Sequence, residues 1–183
     1  NSEVQYAASQ GINVAGTSSV NVTNCSVQHN TNAGIGVAQA SVAITNSRIS
    51  HNSGAGVIGV WDASLSINGG EIASNSSSGV RAIRHSSLTL NSTSIHSNAL
   101  HGVDVRTSEG TISGTTITAN GTDAAQNLRD GVSVSSSNVQ INNSYITNHP
   151  GRGVGASGGG FLGLSNASIT GNGSEGVSLY LGA

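Results

Sequence analysis

Gly79-Val80-Arg81-Ala82-Ile83-Arg84-His85-Ser86-Ser87-Leu88-Thr89-Leu90-Asn91-Ser92-Thr93-Ser94-Ile95-His96-Ser97-Asn98-Ala99-Leu100-His101 is one period of a repeat that fills the chain. A Gly opens the period and a β-branched residue follows it. Leu88 and Leu90 then alternate with polar neighbours, Ile95 stands alone between polar residues, and Asn98 comes three positions later. The opening Gly recurs at Gly11, Gly34, Gly56, Gly79, Gly102, Gly131, Gly153 and Gly176, with spacings of 23, 22, 23, 23, 29, 22 and 23. The residue after it is Ile12, Ile35, Val57, Val80, Val103, Val132, Val154 or Val177, β-branched in every case. A second apolar pair follows at Val20/Val22, Val42/Ile44, Leu65/Ile67, Leu88/Leu90, Val139/Ile141 and Leu162/Leu164. The third position holds Val27, Ile49, Ile72, Ile95, Ile117, Ile146 and Ile169. Three residues beyond it stand Asn30, Asn52, Asn75, Asn98, Asn120, His149 and Asn172.

Alternation of apolar and polar residues is the period of a strand, not of a helix. Self-similarity at a fixed period of this length marks a solenoid. Three short strands separated by Gly/Asn/Ser corners make one coil, and a coil buries its apolar face only by stacking on the next, about 4.8 Å away. The corner three residues before the lone Ile is Asn24, Asn46, Gly69, Ser92, Gly114, Asn143 or Asn166, and Gly and Asn tolerate the left-handed backbone of a tight corner. The Asn series after the Ile predicts an inward amide ladder that satisfies buried backbone groups from coil to coil. Leucine-rich repeats would need many more Leu and a helical or extended return. The pattern resembles the right-handed β-helix repeat of pectate-lyase-like proteins. The expectation is an all-β, right-handed parallel β-helix of about seven to eight coils of 22–23 residues, one domain over residues 1–183. The spacing of 29 predicts a loop inserted near residues 121–127, beside one face of the solenoid. Asn1 falls on a corner and Leu181 closes the last apolar series, so the chain begins and ends in mid-coil with no visible polar cap. Open coil ends of this kind predict a fragment of a longer solenoid, or self-association through those ends.

Composition narrows the function classes. Only 8% of residues are charged, the net charge is −2, and all six cations are Arg. This is no basic footprint for nucleic acid. No apolar run approaches the roughly 20 residues of a membrane span. The single Cys25 excludes an internal disulfide framework. No metal site or cofactor is expected, since His29 and His51 stack on neighbouring coils without the further ligands a metal needs.

The few charges gather beside the strand that follows the marker Gly. Two positions after the marker, side chains should face outward, which stacks Arg81 on Asp104. Five and six positions after it come Trp61 and Asp62, then Arg84 and His85 one coil on, so Trp61 should neighbour Arg84 and Asp62 should neighbour His85. An aromatic beside cations holds a sugar ring well, because the ring face is apolar and its edge polar. In this reading Arg81, Arg84 and Arg106 neutralise uronate carboxylates, with Trp61 and Asp104 completing the substrate-binding set. His85 is the candidate base, being the side-chain type that titrates nearest neutral pH, and Asp62 orients it. The competing reading is ordinary ion pairing between coils. Asp62 and Asp104 form a further candidate pair, two coils or roughly 9.6 Å apart, near the upper limit for an inverting glycosidase. The series just before the marker, His101, Asp130, Arg152 and Glu175, reads as a structural ladder of salt bridges.

The stretch Asn98-Ala99-Leu100-His101-Gly102-Val103-Asp104-Val105-Arg106-Thr107 resembles the Asn-x-x-His-Gly coil of mannuronan C5-epimerases. That resemblance implies a β-helix acting on alginate, with Arg neutralising a carboxylate and a base, His85 or His101, for the C5 proton. Asp62-Ala63-Ser64 stands where that family carries Asp-Pro-His, and Leu100 where it usually has Arg. The composition is also similar to passenger domains of bacterial autotransporters, which implies an adhesin or filament segment. The expected role is therefore an extracellular β-helix, secreted or at the cell surface, that binds or modifies an acidic polysaccharide. The alternative is a structural surface segment without catalysis.

Overall fold

The computed structural model describes residues 2–123 and 129–180, and every regular element among them is a β-strand. The lone-Ile positions form an eight-stranded parallel sheet of β1 (Glu3–Gln5), β4 (Ser26–Gln28), β7 (Arg48–Ser50), β10 (Glu71–Ala73), β13 (Ser94–His96), β16 (Thr116–Thr118), β18 (Tyr145–Thr147) and β20 (Ser168–Thr170). The marker Gly residues open β2 (Ile12–Ala15), β5 (Ile35–Ala38), β8 (Val57–Val60), β11 (Val80–Ile83), β14 (Val103–Arg106), β17 (Val132–Asn142), β19 (Val154–Ser165) and β21 (Val177–Tyr180). The second apolar pairs lie on β3 (Ser19–Thr23), β6 (Ser41–Thr45), β9 (Ser64–Asn68), β12 (Ser87–Asn91) and β15 (Glu109–Ser113), and in the later halves of β17 and β19. Because β17 and β19 run through the corner, marker and second strands belong to one thirteen-stranded sheet. Each strand pairs in parallel with its equivalent one coil away, as Val80 with Val103, Leu90 with Ile112 and Ile95 with Ile117. The long period does not disturb this register, for Val103 pairs with Val132. Residues 124–127 of the expected insertion, Asn1 and Leu181 lie outside the described residues.

The inward β-branched and Leu side chains form one continuous core, with Ile35, Ile49, Leu65, Ile72, Leu90, Ile95, Ile117 and Ile146 fully buried. Beside it runs the amide ladder. Asn30 Nδ2 donates to Asn52 Oδ1 at 2.8 Å, Asn52 to Asn75 at 3.0 Å, Asn75 to Asn98 at 2.9 Å and Asn98 to Asn120 at 2.8 Å. Each Oδ1 also accepts the backbone N–H of the ladder residue before it. The ladder thereby pairs backbone groups that burial would otherwise leave unsatisfied.

All the marker glycines except Gly176 are required for space and not for backbone conformation. None of them has a positive φ. A Cβ built on Gly79 would lie 2.7 Å from Ile95 Cγ2, 2.8 Å from the Gly102 carbonyl oxygen and 2.9 Å from Asn98 Nδ2. The marker Gly is thus where the strand passes against the ladder and the next coil. The corner before the lone Ile does use the left-handed region, at Asn24, Asn46, Gly69, Ser92, Gly114, Asn143 and Asn166, as expected.

His149 continues the ladder with an imidazole. Its Nδ1 accepts the Asn120 N–H at 3.1 Å and its Nε2 lies 3.1 Å from the Ile117 carbonyl oxygen. This arrangement requires the neutral ring protonated on Nε2. Burial pushes the pKa of His149 below the ordinary 6.5, and desolvation does the same to His101. Above about pH 6.5 both rings are neutral folded or unfolded and carry no pH dependence. As pH falls below that value the unfolded chain takes up protons that the buried rings resist, so stability present at neutral pH is lost on acidification. His149→Asn rebuilds the amide ladder and is expected to shrink that loss. Urea midpoints measured at about pH 7.5 and about pH 5 check this, and an unchanged difference between the two would refute the assignment.

Candidate functional site

The register that pairs β11 with β14 sets Arg81 beside Asp104. Arg81 Nε donates to Asp104 Oδ2 at 3.1 Å, and Arg106 Nε donates to Asp104 Oδ1 at 2.8 Å. One carboxylate therefore holds two guanidiniums, one from its own strand and one from the coil before. Asp104 occupies the outward position expected of it, yet its side chain is only 1% exposed, while Arg81 is 28% and Arg106 51% exposed. The two cations cover the anion. Both ion pairs use Nε, and the Nη groups of Arg81 and Arg106 have no hydrogen-bond partner among the described residues. A guanidinium fork held through one edge presents the other edge for bidentate contact with a carboxylate.

The neighbouring corner carries the second part of the cluster. Trp61 is 51% exposed, and Arg84 Cζ lies 5.0 Å from the centre of its ring, within the range of a cation–π contact. Asp62 and His85 are exposed one coil apart on the same corner. Asp62 N–H donates to the Arg84 carbonyl oxygen and His85 N–H to that of Thr107, but among the described residues their side chains make no hydrogen bond to each other. The orienting contact expected of Asp62 is absent from this arrangement. Trp61, Asp62, Arg84 and His85 all have φ between 52° and 66°. Bulky side chains in the left-handed region each cost about 1–2 kcal/mol relative to Gly, and because Gln39, Thr107 and Ser136 adopt it at the same corner of other coils, this backbone belongs to the coil and not to the cluster.

Behind this face stands a more buried polar set. His101 is 9% exposed and Asp130 1%. The Asp130 N–H donates to His101 Nδ1 at 3.1 Å, which leaves the ring proton on Nε2 and makes His101 a donor toward any further group. Desolvation outweighs the attraction of Asp104 and Asp130 and holds His101 neutral near pH 7. Arg152 clamps Asp130 with Nε to Oδ1 and Nη2 to Oδ2, both at 2.9 Å, and this hydrogen bonding raises the Arg152 pKa. The ladder before the marker is thus structural as far as Arg152. Glu175 departs from it: the residue is exposed and bonds Ser174, while Arg152 lies over the Tyr180 ring at 5.3 Å. Asp62 and Asp104 do not form a hydrolase pair in this arrangement, since both Asp104 oxygens are engaged by arginine.

Two clusters were not singled out by the sequence reading. Glu71 bonds His96 Nε2 at 2.9 Å and Arg48 Nε at 3.2 Å on the outside of the eight-stranded sheet. Tyr6 extends the expected His29–His51 stack, with ring centres 5.6 Å and 5.1 Å apart. Arg48 and Glu71, like Tyr6, His29 and His51, hold equivalent positions one period apart, whereas His96 is paired with Ala73 and reaches Glu71 from two positions along its strand.

Residues 1–126 match the family model described as a right handed beta helix region. The chain belongs to that right-handed β-helix family. Among solved structures this β-helix is similar to a periplasmic alginate epimerase, with a TM-score of 0.73, 16% identity, and 91% of this chain matched to 45% of that one. It is also similar to the A-modules of two mannuronan C-5 epimerases of Azotobacter vinelandii. One gives a TM-score of 0.63 at 15% identity, over 92% of this chain and 56% of that chain. The other gives 0.56 at 16% identity, over 94% and 56%. The β-helix spans about half the length of these structures. At such identities the likeness establishes the shared fold. No curated protein sequence matches the chain.

Proposed function

We propose that the face built by Arg81, Asp104 and Arg106, with Trp61 and Arg84 at its corner, binds an acidic polysaccharide outside the cytoplasm. The observation that carries this reading is the pair of guanidiniums fixed through Nε on Asp104, whose Nη groups make no hydrogen bond to another described residue. A uronate carboxylate matches such an edge, and Trp61 offers a flat surface to the sugar ring. Asp104 lowers the net charge of the trio to +1 but restrains two long side chains in advance, so less entropy is lost when a ligand arrives. The structurally similar alginate and mannuronan epimerases support the same substrate class. In a binding step Arg81 and Arg106 hold the carboxylate and thereby acidify the adjacent C–H. His85 is the candidate base for that proton, with Asp62 beside it and not hydrogen-bonded to it. His101, protonated on Nε2, serves as a donor and not as the base in this tautomer.

Proton NMR of a polymannuronate or polygalacturonate oligomer mixed with the protein tests this reading. Broadening that disappears with added salt, and weakens at least about tenfold in an Arg81→Ala/Arg106→Ala variant, is the result expected of binding. New anomeric signals that vanish in an Arg84→Ala/His85→Ala variant would add chemistry to binding and locate it. Spectra unchanged by the protein would favour a structural surface segment instead.

A further inference from the structure

On the other side of the Trp61–His85 corner, the outward side chains of β12, β15, β17 and β19 line a trough that the arginine face does not use. The register stacks Ser87, Glu109, Asn138 and Phe161 in one row and Thr89, Thr111, Gln140 and Gly163 in the next. Two depressions of about 270 Å³ and about 350 Å³ lie along these rows. They share Ser87, Glu109 and Asn138, so they form one continuous channel across four coils. Its far wall is raised by an irregularity in β19. Ser135 pairs with Ser157 but Ser137 pairs with Gly160, which inserts one residue, and Gly158, Gly159 and Gly160 all have positive φ. A bulge of this kind re-aims the side chains that follow it, here Phe161.

Three observations point to a ligand. Ser87, Thr89, Glu109, Thr111, Asn138 and Gln140 are exposed and stand in register at the interstrand spacing, which presents a regular row of hydroxyl, carboxylate and amide groups to anything lying in the trough. Phe161 is 54% exposed on a face otherwise made of hydroxyl and amide groups, where it contributes little to the core and presents an apolar plate at the channel end. Among the described residues no arginine lines the channel, and its one carboxylate is that of Glu109.

We infer that this trough is a second carbohydrate subsite, selective for a neutral, hydroxyl-rich glycan strand. Hydroxyl and amide groups exchange hydrogen bonds with sugar hydroxyls, the carboxylate accepts from vicinal hydroxyls, and the Phe161 ring covers the C–H face of a pyranose. A uronate chain would meet Glu109 with no cation to neutralise it. The inference goes beyond the uronate reading and uses none of its arginines, so either site stands without the other.

Backbone-amide NMR of the whole chain, titrated separately with cellohexaose, mannohexaose, xylohexaose and an oligouronate, tests the assignment. At least one neutral hexasaccharide is expected to shift the amides of Ser87, Thr89, Thr111 and Gln140. Phe161→Ala, an exposed change that leaves the core untouched, is expected to weaken that titration at least about tenfold. Arg81→Ala is expected to leave it unchanged while weakening the shifts that the oligouronate induces around Asp104. The assignment is overturned if no neutral hexasaccharide moves the trough amides, if Phe161→Ala binds as well as the parent, or if only the oligouronate binds there.

Discussion

Asn75→Ala is expected to lower the stability of the β-helix by about 3–5 kcal/mol. The Asn75 side chain is 1% exposed and makes four hydrogen bonds. Its Oδ1 accepts the backbone N–H of Asn52 at 3.1 Å and Asn52 Nδ2 at 3.0 Å. Its Nδ2 donates to the Ile49 carbonyl at 3.2 Å and to Asn98 Oδ1 at 2.9 Å. Truncation strips the partner from the Asn52 N–H, deep between coils, and leaves a gap lined by polar groups. Each buried group left unpaired costs about 1–3 kcal/mol, whereas the intact bond contributes only about 1 kcal/mol net. The penalty therefore comes from what the neighbours lose and exceeds the value of any one bond. Asn46→Ala is the matched control, since Asn46 has φ 45° at an exposed corner and its loss carries mainly the left-handed backbone cost of about 1–2 kcal/mol. Urea unfolding followed by circular dichroism separates the two. A solenoid with a broken ladder also loses nearest-neighbour coupling, so Asn75→Ala should broaden the transition as well as shift it.

Gly79→Ala is the second large effect, about 3 kcal/mol or more from overpacking. The added methyl would meet three atoms between 2.7 and 2.9 Å, and none of them has a simple way to move. Ile95 is fully buried, the Gly102 carbonyl already accepts the Val80 N–H at 3.0 Å, and Asn98 Nδ2 belongs to the ladder. Gly159→Ala supplies the opposite case. Its φ is +74° and a Cβ there meets nothing within 4 Å, so only the backbone term of about 1–2 kcal/mol applies. If the two substitutions cost the same, close packing is not the reason for the marker Gly. The change at Gly79 also reaches the candidate site. Arg81 lies two residues along the same strand, and a displaced β11 would separate its guanidinium from Asp104. Loss of oligouronate binding in the fraction that still folds is the expected signature, read by the same proton NMR titration.

The two effects share a cause, for each period places the same groups at the same depth in every coil. That is also why the repeat was readable. Gly79, Val80, Leu88, Ile95 and Asn98 recur because each coil faces one burial problem and solves it with the same residue types. The neighbour relations were legible for the same reason. Arg81 beside Asp104, and Arg84 over Trp61, follow from position in the period without knowledge of any side-chain conformation.

Where the reading stopped, side-chain direction and local irregularity took over. Asp104 was expected at the surface, and it is buried because Arg81 and Arg106 fold back over it, a choice of rotamers that no spacing encodes. Asp62 and His85 are neighbours by count, yet their exposed side chains do not meet. Glu175 stands in series with Arg152 but bonds Ser174, and Arg152 turns to Asp130 and Tyr180. The trough depends on one inserted residue near Gly158–Gly160 and on the order in which small and large outward residues fall across four coils.

By itself, then, the sequence determined the solenoid, its period, its strands, its amide ladder and which positions become neighbours, because hydrophobic burial and backbone hydrogen bonding act identically on each repeat. Only the tertiary structure decided which charges are shielded, which tautomer His101 and His149 adopt and where a channel opens. These depend on distances of a few ångströms between side chains from different coils, and the one-dimensional period sets which residues are adjacent but not how their ends are turned.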